Sequence, residues 1–151
     1  MTVYLAGLIS THKPESLAWR KQAEAALREH GFEVLSPLRG KEALASESKD
    51  GGITTSGSTS RDIILRDYRD IVRSDAILMH LSAFGSERPL IGTMFELAWA
   101  WMLDKPVVAV VPEGDPQEYL LRNHPFVVQS VAHYCATVEE AVDFIVRYYH
   151  Q

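Results

Sequence analysis

The sequence predicts an α/β domain with a five-stranded parallel sheet and helices on both faces, in a flavodoxin-like or Rossmann-like arrangement. Three observations carry this expectation. Short apolar runs alternate with longer stretches of helical spacing along the whole chain. Runs such as "VYLA", "AILMHL" and "PVVAVV" are apolar throughout rather than at every second residue, as in strands covered on both sides. Pro14, Gly31 and Pro37 punctuate the boundaries where such elements start and stop.

Taken in order, Val3 to Ala6 is a short buried strand and Gly7 to Pro14 a loop. "ESLAWRKQAEAALREHG" is helical from Pro14 to a Gly31 stop, with Leu17, Ala18, Ala25 and Leu27 as its apolar face. "FEVLSP" is the second strand, "SDAILMHLS" holds the third, "KPVVAVVPEG" the fourth and "FVVQSVAHY" a weaker fifth. Helices fall at about Ser60 to Arg73, Gly92 to Leu103, Gln117 to Arg122 and Val138 to Tyr149. Thr137 and Glu140 form a capping-box start for the last. The polar stretch Ala45 to Ser60 reads as a mobile loop over the sheet's carboxyl edge, or as an insertion without a role. Ligands of such folds bind beyond the carboxyl ends of the strands. The helix that opens at Gly92 therefore begins at the ligand edge.

The 151 residues suit one domain with a sizeable core. A net charge of -5 argues against binding to nucleic acid or to an anionic membrane. No apolar run approaches the roughly 18 residues of a membrane span, and the first ten residues lack the basic start of a signal peptide. The single cysteine, Cys135, excludes an internal disulfide, fits a cytoplasmic setting and reads as a small buried residue. No GxGxxG, GxxxxGK[ST] or GxSxG occurs, and the six histidines show no metal-ligand spacing. Neither a cofactor nor a metal is expected.

One residue stands out against its surroundings. From Pro89 to Leu103 every residue is apolar, small or a hydroxyl except Glu96. A buried carboxylate costs several kcal/mol unless something holds it. Thr93 and Glu96 fit T-x-x-E, so one reading makes Glu96 the back-bonding half of a capping box. A carboxylate in the first helical turn also meets the positive end of the helix dipole, which favours its ionised form and prepares it as a nucleophile. Asp67 is a second candidate, since Ile63, Ile64, Asp70 and Ile71 are its helical neighbours and place it beside the apolar stripe. The competing reading pairs it with Arg66 or Arg69 at the surface. Asp62 and Asp70 are expected to reach solvent or arginines, and Asp75 to serve a turn. Two carboxylates at one sheet edge suggest glycosidic chemistry, one as nucleophile and one handling a proton.

"VYLAG", "RDYRDIVRSDAILMHL" and "GTMFELAWAWMLDKPVVAV" resemble the nucleoside 2-deoxyribosyltransferase family and the related 2'-deoxynucleoside 5'-monophosphate N-hydrolases, from Val3 to about Pro125. The resemblance implies that Glu96 is the catalytic glutamate, that Asp67 sits by the nucleobase, and that Tyr4, at the end of the first strand, orients the glutamate. It implies a substrate pocket reached by Gly7, Leu90 and Gly92, and no cofactor. It also implies a homodimer or higher homo-oligomer in which a neighbouring subunit completes the pocket, with Asn123 and His124 of "RNHPF" as the residues that reach across. The partners are then a deoxynucleoside or deoxynucleotide and a nucleobase, as in nucleotide salvage. Leu90 departs from the family, which tends to have an aspartate or a serine six residues before the glutamate. Arg88, Ser86 or Glu87 are the replacements for contact with the 5' end, and Arg88 with His12 and Lys13 the candidates for a 5'-phosphate. Ser10 and Thr11 are either phosphate ligands or turn formers. The expected activity is 2-deoxyribosyl transfer between bases. Its alternatives are hydrolysis of a deoxynucleoside monophosphate and a non-catalytic nucleotide sensor on the same fold.

Overall fold

In β1 (Thr2–Gly7) successive side chains fall on opposite sides, and both sides are buried. Val3 and Leu5 join a core cluster with Trp19, Ala23 and Leu27 of α1 (Glu15–Glu29) and Val142 and Ile145 of α6 (Val138–Tyr149). Tyr4 and Ala6 join a second cluster with Ile71 of α2 (Ser60–Arg73) and Leu97 and Ala100 of α3 (Ile91–Met102). This two-sided burial is why the strands are apolar throughout, each such side chain contributing about 1.5–3 kcal/mol. The computed structural model describes residues 1–39, 46–47, 53–54 and 58–149.

The remaining strands of the sheet are β2 (Glu33–Leu35), β5 (Ala76–His80), β6 (Val107–Val110) and β7 (His133–Cys135), in the order β2-β1-β5-β6-β7, and all pair parallel. The chain leaves β1 toward one edge and returns to build toward the other, so the direction of winding reverses between β1 and β5. That reversal opens a crevice at their carboxyl ends, where Gly7 pairs with His80. β3 (Ser46–Glu47) and β4 (Ile53–Thr54) form a separate antiparallel pair inside the stretch expected to be loop. The expected mobility of that stretch lies outside the described residues.

Three local expectations are corrected. On α1 the buried face is Ser16, Trp19, Arg20, Ala23 and Leu27, while Ala18 and Ala25 are exposed and Leu17 is half-buried. The inward stripe contains a serine and an arginine, so apolar residues alone pick the wrong side of the helix. The expected fifth strand "FVVQSVAHY" divides: its last residues, His133 and Tyr134, are in β7, while Phe126 to Ser130 belong to α5 (Pro125–Ser130), following the short α4 (Glu118–Asn123). Pro125 opens α5 and the His124 ring accepts from the Phe126 amide at 3.3 Å, which together outweigh the strand preference of two valines. At α6 the Thr137 hydroxyl accepts from the Glu140 amide, but the Glu140 carboxylate reaches back to the Ala136 amide rather than to that of Thr137.

Candidate active site

Three elements meet around β1. β1 supplies Tyr4, α2 supplies Asp67 and α3 supplies Glu96. Tyr4 stands mid-strand, not at the end of the first strand as expected, because β1 runs on to Gly7; it is fully buried, Glu96 is 9% exposed and the Asp67 side chain 16%. Burial pushes the Tyr4 phenol well above its ordinary range, and the charges of Glu96 and Asp67 push it further. Glu96 also acts on it as a hydrogen-bond acceptor, through a contact outside ordinary hydrogen-bond geometry. Tyr4 is therefore a neutral phenol facing a carboxylate pair. Asp67 keeps a longer contact to Arg66 at 3.7 Å, so it borders the surface as well as the site. Arg66 in turn donates to the carbonyls of Pro37 and Arg39 and ties that segment to α2.

The capping-box reading of Glu96 is overturned. α3 begins at Ile91 behind Leu90, which makes no side-chain cap, and Thr93 and Glu96 both lie inside the helix on its buried face. Glu96 is the sixth helical residue, one turn too deep to cap the start or to meet the strongest part of the dipole. The capping box that does form is on α2, between Thr59 and Asp62. Of the two alternatives for Asp70, solvent or arginines, the structure has the second: it is buried and held by Arg39 at 3.1 Å and Arg73 at 3.0 Å.

Arg20 and His80 belong to this region and were not singled out by the sequence. Arg20 is 1% exposed. It donates to the carbonyls of Gly7 (2.7 Å), Leu8 (3.0 Å) and Ser16 (2.6 Å). Burial lowers its pKa to about 10, against the opposing pull of Glu96, Tyr4 and Asp67, so it stays charged at neutral pH. The only signal for it was its place on the stripe of Ser16, Trp19, Ala23 and Leu27. His80 ends β5 with its ring between Trp19 (5.2 Å) and Phe84 (4.7 Å), and its Nδ1 accepts from the Ser82 amide at 3.3 Å. Desolvation first, then the Arg20 charge, lowers its pKa to about 4.

The other expected residues are distributed around this centre. Gly7 packs so closely that a Cβ would stand 2.9 Å from the His80 carbonyl oxygen. Leu90 is buried in a small cluster with Leu8 and Ala83, while Gly92 is exposed. Arg88 is half-buried in the loop after β5, its amide donating to Ser86. Lys13 reaches the same loop, its Nζ 4.0 Å from where a Cβ on Gly85 would lie. Ser10 is buried and its hydroxyl accepts from the His12 amide, as a turn former does. Asn123 and His124 are exposed at the α4–α5 corner. Asn123 donates to the Tyr119 carbonyl, and among the described residues neither bonds to Tyr4, Asp67 or Glu96. His124 lines an apolar groove of about 650 Å³ with Met94, Ala98 and Trp101 of α3 and Phe126 of α5. Cys135 is buried and its thiol pushed up to about 11 by desolvation, so it is a core residue and not a ready thiolate. Among the described residues no cluster of His, Cys, Asp or Glu is arranged to hold a metal ion, and no helix is long and apolar enough to cross a membrane.

The chain and its fold are similar to known proteins. Residues 3–139 match the family model described as nucleoside 2-deoxyribosyltransferase. No curated protein matches the sequence. The fold is similar to that of a 2-deoxyribosyltransferase from Leishmania mexicana, with a TM-score of 0.69 at 20% identity over 97% of both chains. It is similar to the 2-deoxyribosyltransferase of Bacillus psychrosaccharolyticus, with a TM-score of 0.67 at 19% identity over 95% of this chain and 91% of that one. It also resembles a CMP N-glycosidase from Clostridium botulinum, with a TM-score of 0.62 at 18% identity over 98% and 100% of the two chains. With its five-stranded parallel sheet and a family match over most of its length, the chain belongs to the nucleoside 2-deoxyribosyltransferase family, enzymes that act on the N-glycosidic bond.

Proposed function

We propose that this protein cleaves the N-glycosidic bond of a 2'-deoxynucleoside and transfers the sugar to a second nucleobase, with Glu96 as nucleophile. The observation that carries this reading is the gathering of Tyr4 of β1 with Glu96 of α3 and Asp67 of α2 in a largely buried space, where both carboxylates act on the phenol. A Glu96 oxygen attacks C1' as the bond to the base breaks, through an oxocarbenium-like transition state. The base leaves with the bonding electron pair and takes up a proton by way of Asp67. The sugar remains as an ester on Glu96. A ring nitrogen of the incoming base then attacks C1', the carboxylate departs and the proton is returned. This is the logic of a retaining glycosidase. Tyr4 orients Glu96 and stays protonated while doing so. Gly7, Leu90, Gly92 and Arg88 line the approach to the sugar.

Hydrolysis of a 5'-monophosphate is the second reading. It is favoured by Lys13, whose Nζ lies beside Gly85 in the loop that also carries Arg88. We also propose that the protein works as a homo-oligomer. Phe95, Trp101, Met102 and Phe126 are between 59% and 82% exposed on neighbouring helices, an apolar surface that a second copy would cover. Asn123 and His124 sit at its rim, where they reach a neighbour's pocket.

Chromatography of a deoxynucleoside incubated with the protein and a different free base tests the proposal, with the monophosphate run in parallel. A new deoxynucleoside is the expected product. Free base and sugar alone would make water the acceptor and favour the hydrolase. Unchanged substrates in both would sink the catalytic reading.

A further inference from the structure

Residues 36–39 leave β2 beside the site. Leu35, the last residue of β2, pairs with Tyr4, and both join Ile71 of α2 in one core cluster. The chain then turns. The Leu38 amide donates to the Ser36 hydroxyl at 3.2 Å and the Arg39 amide to the Ser36 carbonyl at 3.0 Å. α2 grips this turn twice. Arg66 donates to the carbonyls of Pro37 and Arg39, the second at 3.0 Å. Asp70, about one helical turn further on, accepts from the Arg39 guanidinium at 3.1 Å and from Arg73 at 3.0 Å. Arg39 is thus held by its main chain and by its side chain at once. Asp67 lies between the two grips on the same helix, its Oδ1 3.7 Å from the Arg66 Nε.

Stability alone is a poor reason for this clasp. Asp70 is buried, and a buried ion pair adds little net stability over apolar packing of the same volume. What it adds is register. Carbonyls met by a forked guanidinium, and a carboxylate met by two arginines, admit one placement where apolar contacts admit several. Arg66 has Asp62 and Asp70 at i−4 and i+4 along its own helix, a spacing that suits ion pairs, yet it gives its NH groups to the turn. We propose that the turn 36–39 is the wall of the site on the Asp67 side, and that Arg66 and Asp70 are positioning residues that set the gap between this wall and Asp67, and so the width of nucleobase preferred. This rests on the reading of Asp67 as the group beside the nucleobase.

The test follows the turn and the ligand separately, in Glu96→Gln protein so that substrate is not consumed. Calorimetry gives the Kd of one purine and one pyrimidine 2'-deoxynucleoside. Hydrogen–deuterium exchange follows the Leu38 and Arg39 amides. Arg66→Met keeps the stem and removes the donors, and Arg66→Lys keeps one charged donor. Arg39→Gln cuts the tie to Asp70 at an exposed side chain and serves where Arg66→Met does not fold. In Arg66→Met the two amides are expected to exchange about tenfold faster, with α1 and α6 unchanged. The ratio of the two Kd values should shift about fivefold, as the tighter-binding deoxynucleoside loses more than the weaker, with Arg66→Lys in between. An unchanged ratio would overturn the proposal, whether neither Kd moved or both rose by one factor, since the clasp would then serve the fold alone. So would amides that exchange as before, or the failure of both Arg66→Met and Arg39→Gln to fold. Failure to bind either deoxynucleoside would remove the reading of Asp67 as well. A shifted ratio beside a parent that transfers no deoxyribose would uphold the positioning role and sink the proposed activity. An unshifted ratio beside an active parent would do the reverse.

Discussion

The Tyr4 hydroxyl on β1 and the Glu96 carboxylate on α3 face each other in the buried space between sheet and helix. Glu96 favours the protonated phenol, and Tyr4 in turn offers Glu96 a donor. An aligned hydrogen bond to a charged group contributes about 1.5–3 kcal/mol, and catalytic contacts of this kind often reach that alignment only with substrate bound. Tyr4→Phe is therefore expected to lower kcat about tenfold to a hundredfold while the fold is kept, because only the hydroxyl is removed. Steady-state kinetics with a circular dichroism control checks this. An unchanged kcat would reduce the relationship to packing.

Glu96→Gln removes the nucleophile and keeps the shape. The expected loss of turnover is on the order of 10³-fold or more, with little change in thermal stability. Mass spectrometry of the parent trapped with substrate should show a deoxyribosyl adduct on the peptide containing Glu96, absent from the variant. If the variant turned over at the parent's rate, Glu96 would be neither nucleophile nor essential base.

Gly7 is required by close approach. Its φ is +155°, and a Cβ there would lie 2.9 Å from the His80 carbonyl oxygen and 3.1 Å from the Trp19 ring. The first neighbour is backbone in a paired strand and has little room to yield. Gly7→Ala is expected to cost about 1–3 kcal/mol in urea denaturation and to disturb the carbonyls that hold Arg20. A variant as stable as the parent would show that the β1–β5 crevice can widen freely.

The sequence was most legible where one physical rule acted alone. The apolar runs of β1, β5 and β6 mark buried strands, and α2 and α6 run Ser60–Arg73 and Val138–Tyr149 as their spacing predicts. It misled where two rules competed. Thr93 and Glu96 have capping-box spacing, but the helix starts two residues before Thr93, a boundary that spacing does not mark. "FVVQSVAHY" has strand composition, but a proline and a histidine cap turn its first five residues into helix and leave only its end in β7. Arg20 was hidden because a buried arginine looks, on a helix, like any surface charge. Its role depends on carbonyls of Gly7 and Leu8 that only the folded chain brings to it.

The apolar surface formed by α3 and α5 gives an oligomer prediction. Trp101 is 60% and Phe126 82% exposed, and both border the groove of about 650 Å³. Trp101→Glu adds a charge there without touching the buried face of α3. Light scattering after size-exclusion chromatography should show the parent as an oligomer and the variant shifted to a smaller species. A monomeric parent at micromolar concentration would remove the case for shared pockets.

His80 sets a pH dependence of stability. Its ring is 5% exposed between Trp19 and Phe84, and its pKa falls from 6.5 to about 4, through desolvation first and the nearby Arg20 charge second. The unfolded chain then binds a proton between these values that the folded chain refuses. Stability from this group is fully present above pH 6.5 and is lost as the pH falls toward 4. The whole shift corresponds to about 3 kcal/mol, an upper bound for one group. Urea denaturation at pH 7 and pH 5 measures it against a His80→Gln variant. The parent should lose more stability than the variant over that interval, even if the variant is less stable at both. Equal losses would mean that His80 takes up its proton inside the fold, and that the stack with Trp19 and Phe84 opens at mild acidity.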